Sequence, residues 1–430
     1  MLETHTLDTL GDAVRSLERQ FAALPDLPAP EAGRMQHVLA EVAERLGDNY
    51  PYFHPLYAGQ MLKPPHPMAR AAYALATWIN PNNHALDGGR ASTGMEREAV
   101  AQIAQMFGWE AHLGHLTGGG TMANLEALWV AGQLHPGKKI VASAQSHYTH
   151  QRISGVLQLP FDKVPVDCRG RMDLNALATM LQRGDIGCVV ATLGTTATGS
   201  VDPLPEILAL RERYGFRLHI DAAYGGYFML ADNLASETRA AFDRIREADS
   251  IVIDPHKHGL QPYGCGCVLF RDPAVGTLYK HDSPATYFSS HELHLGEISL
   301  ECSRPGASAV ALWATMRLLP LARGGEFAQN LAASRRAALD LHARLSRDSR
   351  FVTPFVPQLD IVVWAPKTGS ADRIFQEAAR RNLHLALARL PGGFFGRSDE
   401  EILCLRSVLM KPEHEQWMDR IWEILDEAAS

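Results

Sequence analysis

Two stretches decide how this chain is read: FRLHIDAAYGG at 216–226 and SIVIDPHKHG at 250–259. Each opens with a short β-rich run, and each run gives way to a charged residue followed by small residues or glycine. Asp221 closes the first run, and Lys257 follows the second by only a few positions. An ammonium is costly to desolvate, so a lysine at the end of a buried strand either pairs with a carboxylate or becomes a nucleophile able to form a Schiff base. Asp221 alone admits three roles: a metal ligand, a cap for the next turn, or an acid that holds a proton on a heterocycle.

Further β-rich runs lie on either side, KKIVASA at 138–144, GCVVATLG at 187–194 and CGCVLF at 265–270. Helix-like segments separate them, TMANLEALWVAGQL, DLNALATMLQRG and PLPEILALRERYG. Such alternation predicts an α/β fold with a mostly parallel, doubly covered sheet, whose ligands gather outside the carboxyl ends of the strands. Two more groups fall at such ends. Gly118, Gly119, Gly120 and Thr121 open a helix, where unpaired N–H groups and the positive dipole end suit a phosphate; the spacing is neither a Rossmann nor a Walker pattern. His147 follows the 138–144 run, and a neutral imidazole there can stack on a flat ring or move a proton. His147 with His150, and His291 with His294, are H-x-x-H pairs, but no HExxH helix or cysteine partner accompanies them, so no metal is expected. A phosphate cup, a ring stacker, a ring-nitrogen acid and an aldehyde-holding amine are together what pyridoxal 5'-phosphate requires.

The chain ends differ from this middle. Residues 1–50 hold two amphipathic helical patterns separated by LPDLPAPEAG, and 51–92 mix Pro, His, aromatic and Asn residues in a way that favours irregular backbone. Thr93 and Glu96 have capping-box spacing, which predicts a helix starting after Ser92. Beyond 305 come long helical runs, then strand-like DIVVWAP and LCLRSVLM around helical ADRIFQEAARRN, and a final amphipathic helix. This predicts three parts: an N-terminal helical, dimerisation segment at 1–75, a large cofactor-binding domain at 76–320 and a small α+β domain at 321–430. Over 430 residues, 41 Lys+Arg stand against 48 Asp+Glu with no dense basic run, which argues against nucleic acid. The start lacks a basic n-region and apolar core, no apolar stretch is long enough to span a membrane, and six scattered cysteines suit a reducing compartment. The expected location is the cytoplasm.

The segments TGGGTMANLEAL, SHYTH, GTTATGSVDPL, HIDAAYGG and IDPHKHG, in this order, resemble the group II pyridoxal-phosphate-dependent amino acid decarboxylases, on the aspartate aminotransferase fold (fold type I). The likeness spans about residues 50–410. It implies that Lys257 carries the Schiff base, Asp221 pairs with the pyridine nitrogen, and His147 and Ala223 lie on the two faces of the ring. Gly119, Gly120, Thr121 and His256 would surround the phosphate, with Thr195 or Thr196 near the ring substituents. It further implies a homodimer with sites at the subunit interface, where Ser303 of SRPG reaches the neighbour's phosphate, and an Arg406 that takes a substrate carboxylate. The implied reaction is decarboxylation of an L-amino acid to the amine and carbon dioxide. Two departures leave the reaction open. The catalytic-loop tyrosine of the aromatic decarboxylases has no counterpart after Tyr287, so protonation falls to Tyr287, His291, His294 or water. SRPG also resembles the sphingosine phosphate lyase branch, which keeps an aldehyde-releasing carbon–carbon lyase, or an oxidative deaminase, as the alternative. Tyr52, Phe53, His54, Tyr57, Asn82, Asn83 and His84 are candidates for the entrance, with Asn83 and His84 for substrate binding.

Overall fold

The computed structural model describes residues 4–25, 32–280, 294–398 and 401–430. The alternating middle forms β1 (Leu113–Thr117), β2 (Lys139–Ser143), β3 (Phe161–Val164), β4 (Ile186–Thr192), β5 (Arg217–Asp221), β6 (Ser250–Ile253) and β7 (Gly266–Phe270). They build one sheet in the order β1-β7-β6-β5-β4-β2-β3. Strands β2 to β6 run parallel, while β7 is antiparallel to both β6 and β1.

Ahead of the sheet come α1 (Thr6–Gln20), α2 (Ala32–Leu46), α3 (Pro67–Thr77) and α4 (Leu86–Met106). Its strands are joined through α5 (Gly120–Leu134), α6 (Thr149–Val156), α7 (Leu174–Leu181), α8 (Leu204–Tyr214) and α9 (Ser236–Asp243). Every residue of β4, β6 and β7 is buried, because helices cover both faces. The two-residue period of the strands divides the core. Val189, Ala191, Ile251 and Ile253 pack with Val100 and Ile103 of α4, Phe107 just past its end, and Leu204, Ile207 and Leu208 of α8. Val252 and Val268 meet Ala123, Ala127 and Val130 of α5, while Cys188 and Val190 meet its Leu128 and Ala131. Helix α5 lies close to the sheet because its facing side chains are small, and this fixes where its N-terminus points.

Helices α10 (Gly306–Leu318) and α11 (Glu326–Arg347) lead to a smaller antiparallel sheet of β8 (Phe351–Val352), β9 (Ile361–Pro366), β10 (Ala386–Pro391) and β11 (Glu401–Val408), in the order β10-β11-β9-β8. Helices α12 (Ala371–Arg380) and α13 (Met418–Ala429) join α11 on one face, around Trp364, Leu341, Ile374 and Leu425. The chain's early residues complete this lobe: Ala58 N donates to His384 O (2.8 Å) and Val408 N donates to Ala58 O (2.8 Å). Tyr57 and Tyr52 pack edge to face at 4.9 Å between ring centres, and His54 meets Trp417. These aromatic residues therefore serve the small lobe rather than an entrance. Among the described residues no helix is long and apolar enough to cross a membrane.

The expected helix start after Ser92 is corrected. Helix α4 begins at Leu86 and kinks at Gly89, whose backbone is not helical, so Thr93 and Glu96 lie inside it. Both are buried. Glu96 accepts from Asn83 Nδ2 (2.6 Å), Leu116 N (3.0 Å) and Arg304 Nη1 (2.9 Å), tying α4 to β1 and to the segment before α10. A capping-box spacing inside a helix places the same two side chains one turn apart, facing the core.

Because Glu96 is the carboxylate paired with the buried Arg304, its removal leaves an uncompensated interior charge. Glu96→Ala is expected to cost about 3–5 kcal/mol, read as a lower urea midpoint with an unchanged slope.

Candidate active site

The carboxyl ends of β1, β2, β4, β5 and β6 open on one cleft of about 520 Å³. At the β1 end, Gly118 to Thr121 turn the chain into α5. Gly119 has φ +145°, a region that side-chain-bearing residues avoid. A Cβ on Gly120 would stand 2.7 Å from Asp254 Oδ2, so this cup keeps its shape only with glycine. The first N–H groups of α5 lack intrahelical acceptors and face an anion site.

At the β6 end, Lys257 N donates to Asp254 O (2.9 Å), a tight turn that brings Lys257 Nζ to 3.1 Å from Asp254 Oδ2. The lysine therefore satisfies the first of its two sequence readings, a carboxylate partner, while remaining in the cleft wall. His256, next to it, donates through Nδ1 to Cys265 O (2.8 Å), and burial lowers its pKa. Asp221 at the β5 end is buried. Its Oδ2 accepts from His150 Nε2 (2.8 Å) and its Oδ1 from Ala223 N (3.1 Å). Burial alone would raise its pKa, but the hydrogen bond and charge of His150, with the charge of Lys257, hold it well below the usual carboxylate range. Asp221 is thus an ionised acid aimed into the cleft, and Ala223 lines the cleft beside it.

His147 lies half-buried after β2, its Nδ1 2.7 Å from Thr149 Oγ1, with its pKa lowered mainly by burial. It and His150 face different partners, so the H-x-x-H spacing does not converge. After β4, Thr196 lines the cleft and Thr195 does not. Thr195 is buried and bonds Thr198 Oγ1 (2.7 Å), closing the loop that returns to Val201.

Several expected residues lie elsewhere. Asn83 is fully buried, its amide bonded to Glu96 and to Ser92 Oγ (2.5 Å), and it does not line the cleft. His84 packs against Gly296 and also lies off the cleft wall. His294 Nδ1 accepts from Leu86 N (3.0 Å), so its ring fixes the start of α4. Ser303 is exposed outside its own chain's cleft and accepts from Asn82 Nδ2 (3.1 Å). Arg406 is buried on β11, with Nη1 donating to Gly59 O (3.0 Å), while Nε and Nη2 find no hydrogen-bond partner among the described residues. Tyr287 and His291 fall outside the described residues.

Sequence reading assigned no role to Asp254, His150, Tyr224 or Asp360. Asp254 was findable, since D-x-x-K in a turn brings the two side chains together. Tyr224 lines the cleft and donates to Asp360 Oδ1 (2.6 Å), 136 residues away, which no local pattern announces. Oδ2 of the same carboxylate lies 3.2 Å from His258 Nε2.

The set fits pyridoxal phosphate: a glycine-shaped anion cup, an ionised acid, an imidazole and a lysine amine share one cleft. The family model for the pyridoxal-dependent decarboxylase conserved domain matches residues 128–367, and the chain belongs to that family. An L-tyrosine decarboxylase of Enterococcus faecium is 29% identical over 405 residues, covering 71% of this chain and 66% of the relative. A probable L-tyrosine/L-aspartate decarboxylase of Methanopyrus kandleri is 28% identical over 352 residues, covering 78% of this chain and 89% of the relative. In fold, the chain is similar to mouse CSAD, with TM-score 0.81 and 20% identity over 96% of this chain and 91% of that one.

Since the folded pKa of Asp221 is depressed, its contribution to stability is complete above about pH 4 and fades as the pH falls through the lowered value. Between about pH 4 and pH 2, the urea midpoint of wild type should therefore fall more steeply than that of Asp221→Asn.

Proposed function

We propose that this chain removes the carboxylate of an L-amino acid as carbon dioxide and releases the amine, using pyridoxal phosphate held in the cleft. The observation that carries the reading is the convergence of Lys257, ionised Asp221 and the α5 cup in one cavity. Bound there, the cofactor supplies an aldehyde for the substrate amine and a protonated ring that accepts the electron pair left by the departing carboxylate.

The protein's part follows from its own atoms. Gly119, Gly120 and Thr121 would present amides to the phosphate, with His256 beside them. Asp221 would hold a proton on the ring nitrogen, and His150 keeps that carboxylate ionised and oriented. His147 and Ala223 would flank the ring. Lys257 Nζ is the amine that would hold the cofactor's aldehyde group, and Asp254 Oδ2, 3.1 Å from it, is placed to accept a proton from an amine at that position. Thr196 and Tyr224 shape the substrate side, and Arg406 brings a buried cation behind Tyr224. Which bond breaks would depend on which one is held perpendicular to the ring, so the walls that orient the substrate would decide between decarboxylation and carbon–carbon cleavage.

A homodimer belongs to this reading. Met35, Val38, Leu39, Val42 and Leu46 make one exposed apolar stripe along α2, which a second copy would bury, and Ser303 is exposed and does not line its own cleft. The six cysteines are free, which supports a reducing, cytoplasmic setting.

Incubation with a panel that includes L-tyrosine and L-aspartate should yield carbon dioxide and amine in equal amounts. Aldehyde without carbon dioxide would defeat decarboxylation. Wild type should show an absorbance band near the visible edge that borohydride abolishes and that Lys257→Ala lacks. Asp221→Asn should lower kcat on the order of 10²-fold or more, since the ring would lose its charged partner.

A further inference from the structure

The phosphate end of the cleft already holds an anion of the protein's own. Gly118 N donates to Glu301 Oε2 (3.0 Å), and Glu301 lines the same cleft as Gly118, Gly119, Gly120 and Thr121. This carboxylate is delivered by a tethered backbone. Glu301 N donates to Ser299 Oγ (3.1 Å), which in turn donates to Glu301 O (3.0 Å). Three residues on, Arg304 N donates to Asn82 Oδ1 (3.0 Å), and its guanidinium is locked on Glu96. The main chain at 301 is therefore held from both sides, whereas the side chain keeps three rotatable bonds and can swing. A second carboxylate abuts the cup from below: Asp254 is buried against Gly120, and its Oδ1 has no hydrogen-bond partner among the described residues.

A carboxylate on an amide at the mouth of a helix uses the same donor and the same dipole field as a phosphate. Gly118 stands one residue before the amides of Gly119, Gly120 and Thr121 that would take the phosphate, so a carboxylate held on it lies against the phosphate position, where like charges repel. We propose that Glu301 is a built-in competitor for the cofactor's phosphate: loading requires its carboxylate to leave Gly118, and Glu301 thereby sets how tightly the cofactor is held. This inference rests on the assignment of the cleft to pyridoxal phosphate.

The test uses full-length wild type and Glu301→Gln, each dialysed free of cofactor and titrated with pyridoxal phosphate and, separately, with unphosphorylated pyridoxal, by tryptophan fluorescence. Glu301→Gln should bind pyridoxal phosphate about fivefold or more tightly than wild type, with pyridoxal affinity equal in the two proteins. Glu301→Ala should reproduce the gain, and circular dichroism checks that each variant is folded. Unchanged or weaker binding of pyridoxal phosphate by folded variants would overturn the competitor role, as would an equal gain for pyridoxal. Failure of wild type and variants alike to take up either compound would instead overturn the cofactor assignment of the cleft, and this inference with it.

Discussion

Asp221 is a carboxylate removed from water yet kept ionised, and much of the large domain is arranged so that it can be. Burial by itself favours the neutral acid. The opposing influences come from separate elements: a hydrogen bond from His150 at the start of α6, the charge of Lys257 beyond β6, and the Ala223 amide just past β5. These three meet only because β2, β5 and β6 run parallel and end on the same edge of the sheet. The side-chain chemistry is thus a consequence of strand direction.

The antiparallel strand β7 has a comparable effect on the anion cup. It lies between β6 and β1, and at its start Gly266 brings its backbone against Gly119; a Cβ there would stand 2.5 Å from Gly119 C. The glycine turn is therefore held from behind by a neighbouring main chain, and α5, seated on the sheet by alanines, fixes it from the front. A cup built in this way is shaped before any anion arrives, so little ordering remains to be done on binding.

Much of this was legible in the sequence, for identifiable reasons. Strands β2, β4, β6 and β7 are largely apolar runs bounded by turn residues, β5 alternates apolar Leu218 and Ile220 with polar residues, and all lie where the alternation predicted. Strand β1, LGHLT, was missed because its glycine and histidine dilute the pattern, and β3 because FDKV is short and polar at its centre. The lysine and acid could be found because Asp221 closes β5 and Lys257 comes in the turn just past β6. Discrimination between Thr195 and Thr196 was out of reach, since a turn whose closure depends on Thr198 and Ser200 decides which hydroxyl faces the cleft. Asn83 looked chemical as a polar residue in an irregular region, and His294 as a proton donor in place of the absent loop tyrosine; in the fold the Asn83 amide bonds Glu96 and Ser92, and His294 Nδ1 accepts from Leu86 N at the start of α4. The Tyr224–Asp360 bond joins the two lobes and leaves no local trace in either segment.

The early residues that finish the small lobe have a consequence for synthesis. Arg406 donates to Gly59 O across 347 residues of chain, and Lys411 Nζ reaches Tyr57 O across 354. On a ribosome that releases the polypeptide from its amino end, the 57–59 segment emerges long before the strand it serves, and must wait with its backbone unpaired while the large domain closes around its own sheet. The two lobes therefore mature in sequence, and the last contacts to form are those that sew the beginning of the chain to its end.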